Sequence, residues 1–206
     1  MSERVPVEPV SKTMYLGLYI GSIVLGGILI AIGLVSIIGG AVAADSGKFD
    51  AVTGVAIGVG VIFTILASSL FVLGYIVVMV LYYKMWKAIQ DGYARTTPGK
   101  AVGFMFIPLF NIYWIFQALW GYSKDYNEYL RRHSIQAKPL CEGLFLTACI
   151  LPLAGGVPFL GGFAGIANLI ISIILVNFIC NSINALANSE SEQVSPDTMA
   201  MPIQDS

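Results

Sequence analysis

Charge is missing from three long stretches of this sequence. Met14 to Ala44, Val52 to Tyr83 and Gly143 to Leu186 contain no Asp, Glu, Lys, Arg or His. Their absence excludes the proton relays, buried carboxylate pairs and ion-pair gates on which many pumps depend. Over all 206 residues only 11% are charged and 57% are hydrophobic, with a mean hydropathy of +0.80, where soluble domains carry roughly 25% charged residues. Every polar segment is short, which leaves no room within these residues for a soluble catalytic domain. The three cysteines, Cys141, Cys149 and Cys180, are scattered and odd in number, which argues against a disulfide framework. The one histidine, His133, lies beside Arg131 and Arg132 at a polar helix end and reads as a solvated surface residue. No Cys/His spacing matches a zinc site. "GYARTTPGKA" fails as a phosphate loop, because Ala101 stands where Ser or Thr is required. No catalytic constellation, cofactor or metal is implied. A net charge of -1 without a long basic run points to no nucleic-acid partner.

What is present is an all-α pattern of long apolar runs. After a polar lead, residues 1–13 with Arg4 and Lys12, helices are expected at about 14–44 and 52–83, joined by "DSGKFD". Each is long enough to cross a hydrocarbon core of about 30 Å. "AVAADSG" resembles a signal-peptidase site, but the apolar run before it far exceeds the 7 to 15 residues of a secretory signal. The second run ends in "YYKMWK", a boundary of Tyr, Trp and Lys. Small residues recur at four-residue spacing: Gly17 and Gly21, Ser22 and Gly26, Gly54 and Gly58, then Gly60, Thr64 and Ser68. Such ladders let helix backbones approach closely in lipid. Packing of the two helices within one chain is favoured over a homo-oligomer face or a protein partner in the membrane.

Gly143 to Leu186 is too long for one crossing, and "LPLAGGVPFLGG" divides it into expected crossings at 140–155 and 160–187. The acidic tail, residues 188–206, reads as disordered. Lys84, Lys87, Arg95 and Lys100 against a single Asp91 make the central loop cytoplasmic by the positive-inside rule, which places both termini inside as well.

Residues 98–122, extending to about 133, decide the topology. Thr97 is an N-cap and Pro98 the first helical residue. Pro108 stops that helix near Ile107, and Asn111 caps a second helix from Ile112. A basic loop with Lys124, Arg131, Arg132 and Lys138 follows. Were the segment to span, one of the two basic loops would lie outside, so a re-entrant or interfacial hairpin is favoured over a bent spanning helix. The fold class is therefore a polytopic membrane protein of four transmembrane helices plus a re-entrant or interfacial hairpin.

Candidate binding residues are Asn111, Tyr113, Trp114 and Gln117 of the hairpin, with Asn177, Asn181 and Asn184 of the last helix. The last three form a stripe with Asn188, expected to bond across helices or to line a polar vestibule at the depth of the hairpin. Tyr122, Tyr126 and Tyr129 share a helical face in "YSKDYNEYLRRH", a segment suited to a headgroup or a protein.

The block "TPGKAVGFMFIPLFNIYWIFQALWGYSKDYN", Thr97 to Asn127, resembles one that recurs in small bacterial multi-pass proteins of a domain-of-unknown-function class. The resemblance implies a bacterial inner-membrane protein and transfers no activity. The expected function is a non-enzymatic accessory, assembly or lipid-interacting component. The alternative is a small transporter or channel using the break at Pro108 to Asn111.

Overall fold

The computed structural model describes residues 6–47, 50–154 and 161–199. Arg4, the middle of "DSGKFD", the Pro158 turn with its first glycine pair and the end of the tail lie outside the described residues. Every regular element among the described residues is helical. In chain order they are α1 (Lys12–Asp45), α2 (Ala51–Lys87), α3 (Pro98–Gly103), α4 (Phe110–Ile115), α5 (Gly121–Arg132), α6 (Glu142–Ala154) and α7 (Gly161–Met199). A 3-10 turn at Phe104–Phe106 follows α3, and a π-helical turn at Phe116–Trp120 joins α4 to α5. Three helices are long and apolar enough to cross a membrane: α1, α2 and α7 over Phe163–Ser191. The chain divides into two compact units, Thr13–Val78 and the remainder.

The first unit is a helical hairpin held by a seam of small residues. Gly26, Gly33 and Gly40 are buried on α1, and Thr53, Gly60, Ala67 and Gly74 on α2, each set at seven-residue intervals. Seven-residue spacing keeps one face of each helix on its partner, the geometry of left-handed coiled pairs. The backbones approach so closely that a Cβ on Gly33 would lie 2.8 Å from the Gly60 carbonyl, and one on Gly60 would lie 2.7 Å from the Gly33 carbonyl. Gly74 sits against the Ser22 hydroxyl. Ser22, Gly26, Gly60 and Thr64 of the expected ladders therefore belong to the seam. Gly17, Gly21, Gly54 and Gly58 do not, since nothing lies within 4 Å of where their Cβ atoms would be. Asp50 caps α2, its Oδ1 accepting from the Thr53 N–H at 2.8 Å and hydroxyl at 2.9 Å. The outward faces are apolar, with Val35 73% and Val52 74% exposed.

The second unit has a core of large side chains. Leu81, Met85 and Trp86 from the end of α2 and Ile89 from the turn after it are fully buried, as are Leu119, Tyr122 and Tyr126, Phe145 of α6, and Ile179, Ile183 and Leu186 of α7. The Trp86 indole donates to the Ala118 carbonyl at 2.9 Å. Tyr122 meets Ser182 at 3.1 Å. Ser182 gives its own proton to the Ile179 carbonyl at 2.8 Å, so Tyr122 is the donor. The chain past Ala187, expected as a disordered tail, continues α7 to Met199. Its first turn is tied down: Ser189 and Ser191 bond back to Leu186 and Asn188, and Glu190 accepts from the Val7 N–H at 2.9 Å.

α6 has 13 residues, about 20 Å of helix at 1.5 Å per residue. It is shorter than the hydrocarbon core. The expected boundary at 155 and the turn beyond it fall outside the described residues.

Candidate functional site

The Thr97–Asn127 block folds back on itself. Thr97 caps α3 by accepting from the Lys100 N–H, with Pro98 in the first turn, as the sequence suggests. The 3-10 turn then tightens the chain until Ile107, which is extended (φ -85°, ψ 113°) as a residue before proline should be. The reversal turns on Leu109. Its φ of 64° and ψ of -44° and the Phe110 N–H bond to the Pro108 carbonyl at 2.7 Å make a positive-φ γ-turn, a rare and strained form. A non-glycine residue held this way costs roughly 1 to 3 kcal/mol. Leu109 is also 84% exposed. Leu109, and not Asn111, precedes the second arm, which begins at Phe110 with no side-chain cap. The expected cap fails because the γ-turn already starts the helix two residues earlier.

Aromatic rings join the two arms. Phe104 packs edge-on against Phe110 at 5.6 Å and Trp114 at 4.8 Å. The Trp114 indole reaches across to the Ala101 carbonyl at 3.0 Å. The ends of the block meet as well: Arg95 donates from its backbone N–H to Asp125 at 2.9 Å and pairs with it through its guanidinium at 2.6 Å. The chain thus returns to where it left. The tip is apolar and open, with Phe106, Ile107, Leu109, Ile112 and Tyr113 all exposed.

The π turn that ends the second arm frees carbonyls from the usual ladder. The Cys149 thiol points to the Ile115 carbonyl at 3.5 Å, Trp86 takes Ala118, and Ser123 takes Trp120 at 2.8 Å. Buried side chains from α2 and α6 therefore hold the root of the hairpin. Lys124 lies 3.4 Å over the Trp120 ring.

Below the root sits an ion cluster that sequence reasoning missed. Asp91 is 4% exposed. Its Oδ2 accepts from Arg132 at 2.9 and 3.1 Å and meets His133 Nε2 at 3.2 Å, while Oδ1 accepts from the Tyr93 N–H at 3.0 Å. Burial pushes its carboxyl up, but the Tyr93 N–H, Arg132 and His133 outweigh that and hold it below the ordinary aspartate value. The expected solvated His133 is instead packed on Tyr129, with ring centroids 4.4 Å apart, and bonded to Asp91. The one legible signal was a lone acid in a basic loop. The cluster clamps the end of α2 to the end of α5; with both Asp91 oxygens occupied, it offers no open base. Tyr126 is fully buried, its hydroxyl has no partner among the described residues, and burial pushes its pKa up to about 12.

The predicted site residues separate into two sets. In the hairpin, Gln117 donates to the Tyr113 hydroxyl at 3.0 Å, Trp114 serves Ala101, and Asn111 is half-buried. On α7, Asn181 donates to Asn177 at 3.4 Å. Asn184 grips the N-terminal lead, accepting from the Val10 N–H at 2.7 Å and donating to its carbonyl at 3.0 Å. No hydrogen bond joins the two sets among the described residues. The lead, read from the sequence only as a polar segment, is thus the partner of Asn184. Six helical residues, 184 to 190, rise about 9 Å and three extended ones, 7 to 10, about 10 Å. The lead therefore runs antiparallel along α7 in register.

Among the described residues no group of three or more His, Cys, Asp or Glu is placed to hold a metal ion. Comparison with protein-family models, curated proteins and solved structures gives no match.

Proposed function

We propose that this chain is a bacterial inner-membrane protein of four crossings and one re-entrant hairpin, acting without catalysis as an accessory, assembly or lipid-interacting component. The observation that carries the reading is the closed hairpin, whose ends are tied by Arg95 and Asp125 while its tip exposes Leu109. A segment that starts and ends at one place adds no crossing. A parity argument supports the count. The lead bonds α7 at Asn184 and Glu190, so the start of α1 and the end of α7 lie at one side. Asn127 pairs with both backbone groups of Leu140, at 3.0 and 2.7 Å, and starts α6 from that side too. α1 leaves and α2 returns, and α6 starts from the side at which α7 ends, which supports an even number of crossings. The basic loops set that side as cytoplasmic. The bacterial location rests on the resemblance of the Thr97–Asn127 block.

The transporter reading is weaker. Broken helices serve solutes by baring backbone groups, but here the Ile107, Pro108 and Leu109 carbonyls accept from Asn111, Phe110 and Ile112.

Single cysteines introduced as Ser46→Cys, Arg131→Cys and Ser191→Cys, in a chain freed of its own three, test the topology with an impermeant thiol reagent on intact cells. Only the Ser46→Cys protein should label. Labelling of the Arg131→Cys protein would mean that the hairpin segment crosses. A stable co-purifying partner without solute flux in liposomes is expected; flux abolished by Asn111→Ala would establish the transporter instead.

A further inference from the structure

A groove of about 120 Å³ opens between the lead, the end of α2 and α7. Its walls include Val7, Val80 and Ile183, and its polar rim holds Lys84, Lys87, Tyr83 and Glu8. Neither lysine has a carboxylate partner among the described ion pairs, whereas Arg95, Arg131 and Arg132 do. The groove therefore presents two uncommitted cations against one acid. It also continues a graded face at the end of α2: Val80 and Tyr83 are 44% and 46% exposed and lie at helical spacing with Lys87. From Val80 to Lys87 that face runs about 10 Å. It passes from aliphatic through a tyrosine to lysine. That is the order of an acyl chain, an ester region and an anionic headgroup.

We propose that this groove is a binding site for one anionic phospholipid, its phosphate held by Lys84 and Lys87 and the start of its chain lying against Val80. The assignment rests on the reading that α2 crosses the bilayer. Charge complementarity and the apolar-to-cationic grading choose a lipid over a soluble phosphate, which would use the rim and ignore the face. The lead forms one wall and is pinned by Asn184 and Glu190, so the site exists only when the lead is docked.

The test is native mass spectrometry of the full chain released from mixed phosphatidylglycerol and phosphatidylcholine micelles. One phosphatidylglycerol should remain bound in preference to phosphatidylcholine. K84Q/K87Q should lower its retention roughly thirtyfold, since each lysine near an anionic lipid counts for about a fivefold factor. Glu8→Gln, which removes the opposing charge, should raise retention, a gain that misfolding cannot mimic. K100Q/K138Q, outside the groove, should change nothing, and millimolar inorganic phosphate should not displace the lipid. Equal loss in K100Q/K138Q, unchanged retention in K84Q/K87Q, or competition by phosphate would each overturn the site. If α2 does not lie in lipid at all, neither phospholipid will be retained by any form, which separates failure of the membrane reading from failure of the site.

Discussion

The two units solve one packing problem by opposite means. Thr13–Val78 joins its helices through glycines, threonines and alanine, with backbones nearly touching and large side chains turned outward. The remainder buries Trp86, Tyr122, Tyr126 and Phe145 and fixes its edges with ion pairs. The difference follows from the surroundings that composition implies. Between helices in lipid there is no hydrophobic driving force, so close van der Waals approach must hold them, and small residues permit it. Near water, burying a large apolar side chain contributes about 1.5 to 3 kcal/mol.

Substitutions should separate the two modes. Trp86→Ala should cost the most, about 3 to 5 kcal/mol, because it opens a cavity and strands the Ala118 carbonyl. Hydrogen exchange should then rise through α5 and α6 while the α1–α2 seam stays protected; loss of protection across the seam would show that the units do not open separately. Gly60→Val should do the reverse, since its Cβ would meet the Gly33 carbonyl at 2.7 Å; overpacking of this kind costs roughly 1 to 3 kcal/mol. Gly58→Val, with nothing within 4 Å, is the control and should leave the thermal midpoint in detergent nearly unchanged.

Asp91→Asn should have a smaller effect, about 1 to 2 kcal/mol, because Arg132 is partly exposed and can rehydrate. The folded carboxyl titrates below 3.8. Its contribution is therefore complete above that value and lost as pH falls through the depressed titration. Acid unfolding of wild type in that range, absent or weakened in Asp91→Asn, is the measurement. Tyr126→Phe should change least at neutral pH, or stabilise slightly, since it deletes a buried hydroxyl that has no partner among the described residues. At high pH the sign is fixed by burial. The folded phenol holds its proton to about 12 and the unfolded one to about 10, so stability is lost as pH rises across that window, and Tyr126→Phe should lose less of it.

Leu109 teaches how far the hairpin was readable. The break at Pro108 follows from local sterics and could be placed from the sequence. The γ-turn could not, because Leu has no preference for φ of 64°; the arms impose it, through Phe104 on Trp114 and Trp114 on Ala101. His133 shows the same limit. Its neighbours in the chain are arginines, but its partner, Asp91, lies 42 residues away.

Composition by itself determined that α1, α2 and α7 are long apolar helices, because uncharged runs and backbone hydrogen bonding leave few alternatives in lipid. Local chemistry determined the Thr97 cap and the break before Pro108. The tertiary structure alone decided which glycines form the seam, that Asn184 grips Val10, and that Arg95 and Asp125 close the hairpin. Each of those depends on distances between residues far apart in the chain, which no local pattern encodes.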